Sequence, residues 1–114
     1  MRIALSIWED KVSPVLDTAA KLLIIDNDNQ KESRFEAHLL EKDLSQRCAF
    51  IRSLGIDVLI CGAVSRHLIK LLTASGIEIV SGISGHIEDV LQAYYQGGVT
   101  QSKFLMPGWE SDEI

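Results

Sequence analysis

Residues 57–98, DVLICGAVSRHLIKLLTASGIEIVSGISGHIEDVLQAYYQGG, carry one small unit written twice. An apolar strand over 58–61 runs into the Gly62 turn and then into a helix whose apolar positions are Leu68, Leu71 and Leu72. A second strand over 77–80 runs into Gly82 and Gly85 and then into a helix carrying Ile87, Val90, Leu91 and Tyr94. Both helical segments space their apolar residues at i, i+3 and i+4, the pattern of one buried stripe. Strand–helix units with short connections predict parallel strands joined by right-handed crossovers, with helices covering the sheet. In such sheets a ligand favours the crevice beyond the carboxyl ends of the strands, where these two glycine turns fall.

Upstream, RIALSIW (2–8) alternates Ile3, Leu5 and Ile7 with the small Ala4 and Ser6, a strand buried on both faces. Residues 9–18 are charged and then contain Ser13-Pro14, which predicts a loop. A second strand over 22–26 ends in the turn signal Asp26-Asn27-Asp28-Asn29. Residues 32–39 then set Phe35, Ala37 and Leu39 against Arg34, Glu36 and His38, a half-exposed strand that completes an antiparallel hairpin. Asp43 caps the first helix, with Gln46 three residues on as in a capping box. Leu44, Cys48, Ile51 and Leu54 form its buried stripe, and Gly55 ends it. The expected architecture is α/β: a five-stranded mixed sheet of order 3-2-1-4-5, strand 2 antiparallel, with helices on both faces. This layout resembles the ribonuclease H-like core.

Periodicity stops after Gly97-Gly98, so the reading divides the chain into one domain over 1–98 and a tail over 99–114 that is apolar, then acidic. Phe104, Leu105, Met106 and Trp109 are too apolar to float and are expected to pack on the domain or on a partner. With 114 residues, 46% of them hydrophobic, the chain supports one packed core. A formal net charge of −5 argues against a general nucleic-acid binder. No apolar run approaches a membrane span, and Met1 leads straight into a strand, so the expected location is cytoplasmic. In a reducing compartment the two cysteines, Cys48 and Cys61, are thiols.

Cys61 stands at the end of a central strand, just before the Gly62 turn. It can offer a thiolate to a soft metal or cluster, or serve as a small buried hydrophobe. Cys48, on the apolar stripe of its helix, reads as core. Ser84 or Gly85 is placed to cap the last helix, leaving amides and a positive dipole end toward the crevice, an arrangement that holds anions. The same turn also reads as an ordinary capped connection. His86, in the first helical turn, is a metal ligand, a donor to an anion or a solvated surface residue. Ser65 caps the middle helix, with Arg66 and His67 in its first turn. Ser13 and Asp17 reach the same rim if the first strand runs parallel to the later two, and His38 lies on the hairpin's outer face. No nucleotide-binding glycine pattern is present. Nor does the first strand carry the carboxylates of a two-metal nuclease, since Glu9 and Asp10 fall in the loop after it. The chain reads as a non-enzyme.

The segments MRIALSIWEDKVSPVLDTAAKLLIID, GIDVLICGAVSRHLIKLL, SGHIEDVLQAYYQGG and FLMPGW resemble the dinitrogenase iron–molybdenum cofactor biosynthesis family, the NifX-type domain also found behind NifB. The resemblance spans nearly the whole chain. It implies a nitrogenase accessory factor-like fold and a carrier that binds an iron–sulfur or iron–molybdenum cofactor, or its precursor, transiently and without chemistry of its own. It implies metallocluster biosynthesis or acceptor proteins as partners and allows a homodimer. The implied pocket comprises Cys61, Gly62, Gly82, Ser84, Gly85 and His86, with Ser13, Asp17, Ser65 and Arg66 around it and Cys61 and His86 as metal ligands. Relatives often carry cysteine at the positions of Ser84 and Trp109, and this chain has neither. A second reading therefore stands beside the first: an interaction or regulatory module on the same scaffold without cluster ligands.

Overall fold

The computed structural model describes residues 1–28, 31–40, 43–98 and 104–106. Strand β1 (Arg2–Trp8) runs down the middle of the sheet. On one side it pairs antiparallel with β3 (Lys21–Asp28), which in turn pairs antiparallel with β4 (Lys31–His38). On the other side β1 pairs parallel with β5 (Val58–Ile60), and β5 pairs parallel with β6 (Glu78–Val80). The order β4-β3-β1-β5-β6 is the predicted topology. The sheet nevertheless has six strands rather than five, because β2 (Lys11–Val12) folds back on the end of β1. A two-residue strand inside EDKV has no length over which alternation can register. The turn that returns it places Glu9 at φ +56°.

Pleating sends Ile3, Leu5 and Ile7 to one face of the sheet and Ala4 to the other. The first face is covered by α3 (Ile87–Tyr95), through Ile87, Val90 and Leu91, and by Phe104. The second is covered by α1 (Leu44–Ser53) and α2 (Arg66–Ala74), through Cys48, Ile51, Leu68 and Leu72. Asp43 caps α1, its Oδ1 accepting from the Gln46 amide at 3.1 Å, and Ser65 caps α2, its Oγ accepting from the Leu68 amide at 3.2 Å. Phe104 is buried and Leu105 bridges Ile83, so this part of the expected tail returns to the sheet; Trp109 lies outside the described residues. No described helix is long and apolar enough to cross a membrane.

The apolar face of the hairpin is narrower than its alternation predicts. Ala37 and Leu39 are buried against the helices, whereas Phe35 remains 44% exposed beside the Arg2 guanidinium. On the other face Arg34 ties the hairpin to α3, its Nη1 and Nη2 donating to Glu88 at 2.6 and 3.1 Å and its Nε to Glu32 at 2.7 Å. The Arg34 hydrogen bond holds the Glu88 carboxyl below its ordinary range. A carboxylate so lowered stabilises the fold above its unfolded pKa, and the contribution is lost as pH falls through the folded value. Because Glu88 is largely exposed, Glu88→Gln is expected to cost only about 0.5 kcal/mol at neutral pH and low salt. That gap should close both in acid and on adding salt, as read from urea denaturation of the two proteins.

Candidate functional site

Three segments meet at the carboxyl ends of the parallel strands: residues 13–17, the 61–65 turn and the 82–86 turn. The two turns are joined by Gly82 N donating to Gly62 O at 2.9 Å and by Ile83 N donating to Cys61 O at 3.0 Å. The 13–17 segment lies along the first turn as a parallel bridge between Val15 and Ala63, with Ala63 N to Pro14 O and Leu16 N to Ala63 O both at 2.8 Å. Gly62 makes this approach possible, since a Cβ there would overlap the carbonyl oxygens of Ser13 and Pro14.

β2 closes the other end of the rim. Val12 N donates to Gly85 O at 3.0 Å, Ile87 N to Asp10 O at 2.9 Å, and Lys11 bridges His86. β1 pairs with β5 as far as Leu5–Ile60 and with β2 from Ile7 onward, so β2 lies beyond the carboxyl end of β5. The returning 104–106 segment takes the remaining turn groups, with Ser84 N donating to Phe104 O at 2.6 Å and Met106 N to Gly82 O at 2.8 Å. The crevice expected from topology is therefore lined by the chain's own backbone. One expectation needs correcting here: the N-cap of α3 is His86, not Ser84 or Gly85, and it makes no side-chain capping bond. Pairing with β2 holds the backbone around His86 extended and delays the helix.

The candidate side chains divide between the two faces. Cys61 is fully buried in the core beneath α1 and α2, in the same apolar cluster as Leu68 and Leu72. Burial, and secondarily the negative charge of Asp17, pushes its thiol up to about 12. Asp17 Oδ1 accepts from the Ser65 amide at 2.8 Å and so pins the 13–17 segment to the start of α2. Ser13 is buried, its amide donating to Ser6 O, while Arg66 and His67 are exposed on α2. His86 stands at the head of α3 on the opposite face, its Nδ1 3.4 Å from Asp10 Oδ2 and its side chain 57% exposed. The structure thus joins the glycine turns, Ser13, Asp17, Ser65 and Ser84 along one rim, and sets Cys61 and His86 on either side of the sheet. Among the described residues no three His, Cys, Asp or Glu side chains are grouped to hold a metal ion.

Sequence reasoning missed Ser6, Asp10 and Arg47. Ser6 is fully buried on β1, and its hydroxyl has no hydrogen-bond partner among the described residues. Arg47 is 5% exposed on α1. It had a visible signal, because Leu44, Arg47, Cys48 and Ile51 occupy i, i+3, i+4 and i+7 of one helical stripe.

A parallel β1–β5–β6 core, an antiparallel hairpin at one edge, and two helices facing a third across the sheet define the NifX-like α/β class. The chain belongs to the dinitrogenase iron–molybdenum cofactor family, whose model matches residues 1–97. Among solved structures it is similar to PH0822, with TM-score 0.82 and 20% identity over 96% of this chain and 100% of that one. It is also similar to the apo form of the orange protein from Desulfovibrio gigas, with TM-score 0.73 and 20% identity over 91% and 94%. A third similar structure is MJ0327 from Methanocaldococcus jannaschii, with TM-score 0.68 and 19% identity over 87% and 91%. At these identities the likeness is one of fold. No curated protein sequence matches the chain.

Proposed function

We propose that this chain is a non-catalytic accessory protein that binds an iron–sulfur or iron–molybdenum cofactor, or its precursor, transiently and passes it to an acceptor protein. The observation that carries this reading is the family match over residues 1–97. The donor set is compatible with cargo and ill suited to a resident cofactor. One soft donor, Cys61, lies protonated under cover, and one imidazole, His86, stands exposed on the other side of the rim. A cluster held by thiolates needs deprotonated, reachable sulfur. Cargo therefore reaches Cys61 only when the apolar cluster around it, beneath α1 and α2, opens. Until then the rim offers the exposed imidazole of His86.

The test is anaerobic incubation with ferrous iron and sulfide and, in parallel, with preassembled iron–molybdenum cofactor, reading bound metal per chain and visible absorbance. Metal retained in proportion to protein from either source, and reduced severalfold in Cys61→Ala, is the expected result. Retention unchanged in Cys61→Ala removes that residue from the site. Retention of neither form overturns the carrier reading.

A further inference from the structure

A cavity of about 450 Å³ opens where the start of β3 and the end of β4 meet α1, beside the Asp17 end of the rim. Its volume lies within the range of small-molecule sites, roughly 300–1,000 Å³. Ala19, Ala20, Leu39 and Leu40 supply an apolar wall, and Arg47 and Asp17 supply the charges. Arg47 is 5% exposed, and among the described residues the one hydrogen bond of its side chain runs from Nη1 to Ala19 O at 2.8 Å. Among the described residues its Nε is buried without a partner, and no carboxylate is within ion-pair distance.

Buried charges are ordinarily paired, because removal from water costs several kcal/mol without compensation. Among the described residues the guanidinium makes no second hydrogen bond, so a carboxylate entering the cavity would supply the missing partner through charge-assisted bonds. Asp17 shares the cavity, so a dianion meets a like charge there whereas a monoanion brings the pair of side chains and ligand to a single negative charge. The alanine and leucine wall calls for hydrocarbon beside that anion.

We propose that this cavity is a binding site for a small organic monocarboxylate with a short apolar body, its carboxylate seated on Arg47 and its hydrocarbon against Ala20, Leu39 and Leu40. The site rests on Arg47, shares only Asp17 with the residues around the cluster-carrier pocket, and survives that reading's failure.

The experiment titrates the full chain with sodium hexanoate at constant ionic strength, following the Arg47 Nε–H resonance by NMR, with inorganic phosphate and chloride as parallel arms. Hexanoate should shift the resonance saturably, phosphate only weakly and chloride not at all. Arg47→Lys keeps the charge but loses the guanidinium, and should weaken hexanoate at least tenfold, read from backbone amides lining the cavity. Ala20→Phe fills the cavity while leaving Arg47 in place, and should abolish the saturable shift even if Arg47→Lys proves too unstable to study. Absence of saturation by hexanoate in the wild type, or saturation that persists in Ala20→Phe, overturns the proposal. Preference for phosphate overturns the carboxylate assignment.

Discussion

Gly62→Ala is expected to destabilise the protein by about 3 kcal/mol, with a matching fall in the urea midpoint. The added methyl group would overlap the Ser13 and Pro14 carbonyl oxygens and stand 2.8 Å from the Pro14 carbonyl carbon. These atoms are backbone, so no side-chain rotation relieves the clash. They also belong to the bridge that holds Val15 against Ala63 and, one bond further on, Asp17 against Ser65. The 13–17 segment must therefore lift or the turn must deform, and either loses several hydrogen bonds at a buried place. Gly76→Ala is the control. Gly76 sits at φ +85° with open space around the position of a Cβ, so only the left-handed backbone penalty applies, about 1 kcal/mol. Equal losses in the two variants would mean that the 13–17 segment is not seated on the turn as described.

The contrast between these glycines shows what the sequence could and could not convey. Periodicity located β1, β5, β6, the hairpin and all three helices, because each depends on apolar spacing within its own segment. What it could not convey was how the 13–17 segment and β2 use the rim. That arrangement depends on backbone hydrogen bonds between segments more than forty residues apart, such as Ala63 N to Pro14 O and Val12 N to Gly85 O. Such bonds leave no side-chain pattern, so the rim read as an open crevice with free amides and Ser84 or Gly85 read as the cap. Cys61 was placed correctly at the end of its strand, yet whether its sulfur faced solvent or core could not be decided from position alone. Arg47 is a different kind of omission. Its stripe position was legible, but a basic residue beside apolar ones is ordinarily taken as solvated, and only the neighbouring ends of β3 and β4 make it buried.

The sulfur of Cys61 should react with iodoacetamide about a thousandfold more slowly in the native protein than in the urea-unfolded chain at pH 8. Only the thiolate reacts, and raising the thiol from an ordinary 9.0 to about 12 lowers the thiolate fraction by roughly that factor. Cys48 is buried as well, so the modified residue must be identified by mass spectrometry of proteolytic peptides. The same proton has a stability signature. The unfolded thiol ionises near 9 while the folded one holds its proton to about 12, so across that interval the native state binds more protons and stability falls as pH rises. The loss amounts to about 4 kcal/mol at most, and Cys61→Ala should remove it, flattening the alkaline limb of the stability profile. A metal that takes this sulfur must displace that proton, so uptake through Cys61 should increase with pH. Rapid native alkylation would mean that the sulfur is already open to the rim and is not held in the core beneath α1 and α2. Slow alkylation together with iron uptake that depends on Cys61 would mean that cargo enters only when the core around this sulfur opens.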